Sequence, residues 1–567
     1  MTNKHVSAAL EEIALLLDLS GENAFKGRAY TNVARAIEQS EAEVETLVRE
    51  KRLREIKGIG DALEQKITEL VTSGSLDYLD TLRAKFPESL FELFDIPGLG
   101  PKRIRQLYEE LGIASRDALE TACRTGALDG VKGFGPKMIE KILEGIEFSR
   151  EHHGQHLYDK ALAEGRRIVN LLKDEPSVVR IELAGSLRRC KEVVKDIDII
   201  ASSGNPEALM ARFVSDDRVA RITGHGDTKS SVVLKSGIGA DLRVVSDVQF
   251  PFALAHFTGS KEHNVAMRQR AKDRRLKLNE YGLFRDDETI VPCEDEAAIY
   301  AALELPFIQP ELREDMGEFA LDSTPRLIEP ADIRGLFHCH TTYSDGRGTL
   351  EQMVHAAQER GYAYITITDH SQSAAYAGGL QPQRVLEQQA EIDALNKTLE
   401  GLRILKGIES DIRINGNLDY DEGILKTFDL IIASVHSKLD MEQDEATKRV
   451  VRAVENPYTT ILGHPTGRLL LQRTGFPLDF EKVFDACTAN TVAIEINASC
   501  HRLDLDWRLV RRARDKGVML CIGPDAHSTE QIDNIAYGIG IARKGGLGPG
   551  DVLNSMSVTE FLAWRKK

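Results

Sequence analysis

The chain has no apolar run of 18 residues, which a membrane-spanning helix needs, and no signal-peptide pattern. Both absences point to a soluble, cytoplasmic protein with no membrane partner. Cysteine is sparse, seven in 567 residues and none spaced as CxxC, which excludes a disulfide framework and a cysteine-rich zinc site. Cys339 lies between two histidines but falls on the opposite strand face. Positive charge is also lacking: the net charge is −16, so a generally basic nucleic-acid coat is excluded and any DNA contact has to be local. With 42% hydrophobic residues the chain can bury a sizeable core, and its length predicts several domains.

One stretch organises the rest. An apolar run from Val178 to Leu183 reads as a strand and leads to Gly185 and Ser186; Asp196 follows Ser186 by ten residues. Asp196 and Asp198 share one face of a second strand, while Ile197 and Ile199 face the core. Two carboxylates about 7 Å apart suit two hard cations bridged by phosphate oxygens. Gly185 and Ser186 offer backbone amides and a hydroxyl to a triphosphate tail, and Arg189 adds a charge-assisted donor. A third carboxylate has to come from another strand, and Asp241 is placed to supply it. Residues 261–277 carry seven cations against two acids, a local surplus beside this site that reads as a phosphate-tracking surface.

Upstream, a Gly-apolar-Gly pattern recurs three times between helical segments: Gly58 and Gly60, Gly98 and Gly100 followed by Lys102, Gly133 and Gly135 followed by Lys137. The second copy begins at Pro97. Glycine permits positive φ and close backbone approach, and free amides at the next helix start point at a phosphate, with a monovalent cation between them in some cases. The three repeats resemble helix-hairpin-helix motifs, and the resemblance implies DNA binding that does not read sequence and needs few basic side chains, which suits an acidic chain.

Downstream come His338, His340 and Asp345; Asp369 and His370; Glu409; His436; His464; Asp525 and His527, nearly every group following an apolar strand-like run, with helical patterns between. This is the βα alternation of a barrel with a metal site at the carboxyl ends of its strands. Mixed imidazole and carboxylate donors suit zinc or manganese over magnesium. Arg468 and Lys438 are placed to meet substrate phosphates.

The Gly-Ser turn with its three aspartates resembles the nucleotidyltransferase superfamily, and within it the family X DNA polymerases. The segment His256-Phe257-Thr258-Gly259-Ser260, with Asn264 and Arg268, is similar to that family's seat for the incoming nucleotide. Arg268 would meet the template. His256 stands where many relatives have tyrosine, and Gly239 where an arginine precedes the third aspartate. The first hairpin resembles the family's small amino-terminal domain, which implies that Lys66 is a Schiff-base lysine for abasic-site ends and that Tyr30 belongs to a 5′-phosphate pocket; Ala62 replaces a second pocket lysine. The downstream series resembles the polymerase and histidinol phosphatase (PHP) domain, a distorted seven-stranded barrel. That resemblance implies that His338, His340, Asp345, His370, Glu409, His436, His464, Asp525 and His527 hold about three metal ions and that Asp369 supports His370 or a neighbouring ligand.

The expected fold is multidomain α/β. It comprises a helical amino-terminal domain with the first hairpin (1–85), a fingers-like domain with two more (86–150), a nucleotidyltransferase palm (151–250), a thumb (251–315), a linker (316–333) and a distorted (βα)7 barrel (334–567). The resemblance implies a monomer that fills short gaps in base-excision repair. It would act on gapped or primer-template DNA with dNTPs and two Mg²⁺ or Mn²⁺ in the palm. The barrel would be a 3′→5′ exonuclease with abasic-site cleavage. A phosphomonoesterase of the histidinol phosphatase type with a vestigial amino-terminal half, or a DNA-end-binding scaffold without catalysis, are the alternatives.

Overall fold

The computed structural model describes residues 1–38, 40, 42–96 and 98–565; Pro97 of the second hairpin lies outside them. The chain forms two compact units, Met1–His153 and Gly154–Lys567. The first is entirely helical among the described residues. Val6, Leu10, Ile13 and Leu17 line one face of helix Asn3–Leu19, Val33 and Ile37 one face of Ala24–Glu38, and all are buried. A single apolar core runs from Val6 to Ile146, so no gap in packing marks the boundary expected near residue 85.

The second unit holds two large sheets of different design, beside two two-stranded ones. The palm is a mixed five-stranded sheet in the spatial order Val178–Leu183, Asp196–Ser203, Gly239–Val245, Lys229–Leu234, Val219–His225. Strand Asp196–Ser203 pairs parallel with Gly239–Val245, and the other neighbours are antiparallel. Helices Tyr158–Lys173 and Pro206–Val214 contribute Ile168, Leu172, Leu209 and Phe213 to its core. Helices Phe250–Thr258, Lys261–Asp273 and Glu296–Ala302 follow as the thumb segment.

The barrel has seven parallel strands in chain order, Gly335–Cys339, Tyr364–Ile367, Arg403–Asp411, Leu430–Ser434, Ile461–Leu462, Ala493–Asn497 and Leu520–Gly523. Every residue of six of these strands is buried, and the third is buried but for two, as parallel strands covered on both faces must be. It is nearly closed: Cys339 bridges to Ala526, and His340 N–H donates to the Ala526 carbonyl at 2.8 Å.

Palm and barrel share one apolar core. Trp507 Nε1 of the barrel donates to Glu192 at 3.1 Å, and Tyr537 meets Tyr158 edge-on at 6.0 Å between ring centres. A Cβ on Gly540 would stand 3.1 Å from Cys190 Sγ, so the barrel helix touches the palm at a glycine. Segment 316–333, expected as a linker, is packed: Leu327 and Ile328 are buried, and Ile328 N–H donates to the Leu547 carbonyl at 2.9 Å.

Candidate functional site

The palm site is assembled by sheet register. Asp198 and Asp241 are direct neighbours across the parallel strand pair, with Asp196 two residues earlier. Gly185 opens the one-turn helix Gly185–Arg188 at φ +63°, and a Cβ there would stand 2.2 Å from Asp198 Oδ2. Only glycine lets this turn lie against the carboxylate. Ala184 N–H donates to the Asp198 carbonyl at 2.8 Å and fixes the turn to the strand. Burial, then the charges of Asp196 and Asp241, push the Asp198 carboxyl up to about 6; burial and Asp241 raise Asp196 as well. Crowded, part-desolvated carboxylates of this kind fit cation binding. Lys229, not picked out from the sequence, sits 2.6 Å from Asp241 and partly offsets the repulsion.

Ser186 lies in the same one-turn helix. Arg189, expected as a charge-assisted donor to the triphosphate tail, already carries protein partners. It is buried, its Nε donates to Glu314 at 2.9 Å and its Nη1 to the Thr258 carbonyl at 2.7 Å. Arg188 pairs with Glu296 at 2.7 Å.

Of the expected nucleotide seat, His256, Asn264 and Arg268 line one pocket together with Met267, Leu278 and Asn279, whereas Phe257 and Gly259 do not line it. Asn264 Nδ2 donates to the His256 carbonyl at 2.7 Å and the Gly259 carbonyl at 3.2 Å, so it braces the turn it belongs beside. A Cβ on Gly259 would come 2.7 Å from Asn264 Oδ1. Phe257 packs under the Arg243 guanidinium, 4.3 Å from its ring centre. Of the basic run, Lys261, Lys272, Arg275 and Lys277 are exposed, whereas Arg270 and Arg274 are tied to Glu304.

The three hairpins share one backbone geometry. Gly58, Gly98 and Gly133 have φ of +98°, +82° and +92°. Gly60, Gly100 and Gly135 are extended helix N-caps with no capping side chain, so no side chain blocks the first-turn amides, and Pro101 and Pro136 carry none at the first position of the second and third helices. Around Gly60, Gly98, Gly100, Gly133 and Gly135 a Cβ would meet nothing within 4 Å, which leaves the backbone open to a ligand. Lys102 and Lys137 are exposed beside the second and third hairpins.

Lys66 lies 4.6 Å from the centre of the Tyr78 ring, and Tyr30 stacks on the same ring at 6.3 Å between centres and 14° between planes. Tyr30 is buried, which pushes its phenol up to about 12. Lys26 approaches the Tyr78 ring at 5.8 Å and donates to Glu22. Neither Lys26 nor Tyr78 was apparent in the sequence, because nothing local ties them to the hairpin.

In the barrel, the expected residues converge at the carboxyl ends of the strands. Among the described residues, three groups bring donor atoms close enough for a metal ion: His340, Asp345, His370 and His527; His338, His340 and Asp525; His370, Glu409 and His436. His464 Nε2 lies 3.0 Å from Glu409. The donors fit metal ions on a second count. His338 Nε2, both ring nitrogens of His340 and His464 Nδ1 are buried without a hydrogen-bond partner. Yet His340 Nε2 is 3.3 Å from Asp525, and His338 Nε2 is 3.4 Å from Glu409. Nitrogens aimed near carboxylates without bonding them are arranged for a shared cation. Burial opposes ionisation of Asp345, but His527, His340 and His370 outweigh it and hold the carboxyl down to about 2. His338, His464 and Asp525 have φ of +59°, +21° and +51°, a strained backbone at the strand ends.

Supporting residues were largely missed. Glu495, on the sixth strand, accepts from His338 Nδ1, and Asp411 from His436 Nδ1 at 2.5 Å. Asp369 does not touch His370 in the hydrogen-bond pattern; it takes Thr341 N–H at 2.8 Å and Ser344 Oγ at 2.5 Å and so shapes the loop to Asp345. Arg468, expected at substrate phosphates, instead clamps Asp506 and the Arg502 and Leu503 carbonyls. Arg502 stands nearer the cluster, 3.8 Å from Asp525.

A mixed-sheet palm with a thumb, three hairpins and a seven-stranded strand-end cluster define a polymerase of the polymerase-beta class joined to a PHP barrel. Family descriptions match in the same places: helix-hairpin-helix domain over residues 1–76, SAM-like helix-hairpin-helix tandem over 90–147, DNA polymerase beta thumb over 253–314 and PHP domain over 337–499. Over 575 aligned residues, covering 100% of both chains, the sequence is 37% identical to the DNA polymerase/3′-5′ exonuclease PolX of Bacillus subtilis (strain 168). Part of the chain is 30% identical over 243 residues to a probable phosphatase of Thermoanaerobacter sp. (strain X514), 41% of this chain and 94% of the relative. A probable phosphatase of Vibrio campbellii is 28% identical over 242 residues, 40% and 90% of the two chains. The chain belongs to the PolX family, the family X DNA polymerases with a carboxyl-terminal PHP domain. No helix among the described residues is long and apolar enough to cross a membrane.

Proposed function

We propose that the protein is a DNA-directed DNA polymerase that fills short gaps during base-excision repair, and that its barrel is a metal-dependent 3′→5′ exonuclease. The observation that carries the polymerase reading is the register of Asp198 beside Asp241 under the Gly185 turn, in a chain alike along its whole length to a polymerase/exonuclease. Asp196, Asp198 and Asp241 would hold two Mg²⁺ or Mn²⁺, which supply charge to the primer 3′-hydroxyl and the dNTP phosphates. Ser186 offers its hydroxyl, and Arg189 its guanidinium, to the triphosphate tail. His256, Phe257 and Gly259 form the wall for sugar and base, held in shape by Asn264, and Arg268 meets the template. The three hairpins grip gapped or primer-template DNA through backbone amides, with monovalent cations between amide and phosphate.

In the barrel, the nine histidines and carboxylates would hold about three Mn²⁺ or Zn²⁺, which provide the charge for phosphodiester hydrolysis, abasic-site cleavage included. Glu495 and Asp411 fix the tautomers of His338 and His436, so that Nε2 of each faces the cluster. Lys66 is the candidate Schiff-base nucleophile, with Tyr30 and Tyr78 as its aromatic floor. The protein works as a monomer in the cytoplasm, at the nucleoid.

The deciding experiment uses a labelled primer on gapped DNA with Mg²⁺ or Mn²⁺, with and without dNTPs. Extension with dNTPs and shortening from the 3′ end without them are expected; neither occurring would overturn the reading. The probable phosphatases among the relatives favour a second reading for the barrel alone, a phosphomonoesterase. Release of inorganic phosphate from small monoesters, with no nucleotides released from DNA ends, would select it.

A further inference from the structure

Lys544 ends the barrel helix Ile535–Lys544 and takes no part in the strand-end cluster. Its ammonium lies 4.3 Å from the centre of the Trp507 ring and is buried against the polymerase half. There it donates to Glu314 Oε1 at 2.5 Å and to the Arg189 carbonyl at 3.0 Å. The same Glu314 oxygen accepts from Arg189 Nε, and Arg189 Nη1 holds the Thr258 carbonyl. One run of hydrogen bonds thus leads from a barrel helix to both walls of the nucleotide site, the turn at residues 185–189 and the turn at 258–260.

The charges along this run do not balance. Arg189 and Lys544 share Glu314, while Arg188 and Arg313 share Glu296. Four cations face two carboxylates, and Arg189, Arg313, Lys544 and Glu296 are all buried. Nearby Arg543 and Arg508 have their own partners in Glu311 and Glu192. Surplus buried charge is costly unless an opposite charge arrives. The side of the surplus that abuts Ser186 is where the polymerase reading puts a triphosphate.

We propose that Lys544 is a positioning residue for nucleotidyl transfer, through which the barrel holds Arg189 ready for the polyphosphate tail. The inference rests on the polymerase reading. Lys544 neutralises Glu314, so that Glu314 does not cancel the Arg189 charge, and it pins the Arg189 carbonyl, so that the turn keeps its place. The barrel is then part of the polymerase site as well as a second enzyme.

The test uses the full chain with Lys544→Met, Lys544→Arg and the double change Lys544→Met/Glu314→Gln. Gap-filling kinetics give KM for dNTP and kcat, and calorimetry gives Kd for inorganic tripolyphosphate. Lys544→Met is expected to raise both KM and Kd about tenfold, with kcat within about twofold, because the lost interaction is one charge in a buried network. Lys544→Arg should recover most of the loss. The double change, which restores the charge balance, should bind tripolyphosphate more tightly than Lys544→Met. Barrel activity on DNA 3′ ends should not change. Unchanged KM and Kd in a folded Lys544→Met protein would overturn the inference. So would a parallel fall of kcat, affinity, barrel activity and melting temperature that Lys544→Arg does not rescue, since that pattern marks a packing residue. If the unaltered protein shows no dNTP-dependent extension, the polymerase reading fails, and the tripolyphosphate Kd still judges Lys544 on its own.

Discussion

At the scale of single residues, Asp198 concentrates the electrostatic cost of the palm. Its carboxyl is raised from 3.8 to about 6 by burial and by Asp196 and Asp241. The folded state therefore holds a proton that the unfolded chain has released, and stability falls as pH rises between those values. In EDTA, Asp198→Asn should melt only slightly higher than the unaltered protein near about pH 5 and a few degrees higher near about pH 7.5, since it removes a charge whose cost builds up between those values. Equal melting differences at both pH values would refute the assignment. Loss of function goes the opposite way: Asp196→Ala or Asp198→Ala should cut primer extension by about a thousandfold or more, because the cation pair loses a shared ligand. Degradation at the barrel should persist in both. For Lys66, borohydride should trap a covalent adduct with a 5′-deoxyribose phosphate end, and Lys66→Ala should remove most of it. Equal trapping in that variant would place the nucleophile elsewhere, with Lys26, on the same Tyr78 ring, as the next candidate.

Among elements, the hairpins show why a repeat can bind DNA in an acidic chain. Their first glycines are left-handed, their second glycines leave helix amides uncapped, and the space around five of the six is open. Gly98→Val and Gly133→Val should each lower affinity for gapped DNA about three- to tenfold, because a left-handed valine costs roughly 1–2 kcal/mol and its side chain fills the approach. The loss should be the same on unrelated sequences, which binding titrations on two duplexes would read. A loss confined to one sequence would contradict backbone recognition. Each hairpin was legible in the sequence because its information is local: two glycines, a spacing and a following helix. The strand-end histidines were legible for the same reason, since each closes an apolar run. Arg468 was misjudged, because a basic residue next to a site reads alike whether it faces substrate or a buried carboxylate.

For the molecule as a whole, the barrel and the palm pack as one body. His436→Ala should lower the metal content and remove 3′-end degradation while extension continues, because the palm aspartates use a separate cation pair. A melting curve has to show the variant folded; full metal content and full degradation in that folded variant would count against the cluster. Deleting the barrel is different. Ile328, Cys190 and Tyr158 lie against barrel residues, so a chain ending near residue 333 should expose a broad apolar face and fold poorly. Recovery of such a chain as a stable, active polymerase would show that the shared core matters little.

The sequence by itself determined the strands and helices, the hairpin glycines, the Asp196 and Asp198 pair and the order of histidines along the barrel. These follow from period, turn chemistry and residue type over a few neighbours. The tertiary structure alone decided that Glu495 holds His338, that Asp411 holds His436, that Lys229 reaches Asp241 and that Lys544 meets Arg189 355 positions away. Those partners lie on different strands or different domains, and a buried charge takes whatever opposite charge the fold brings to it.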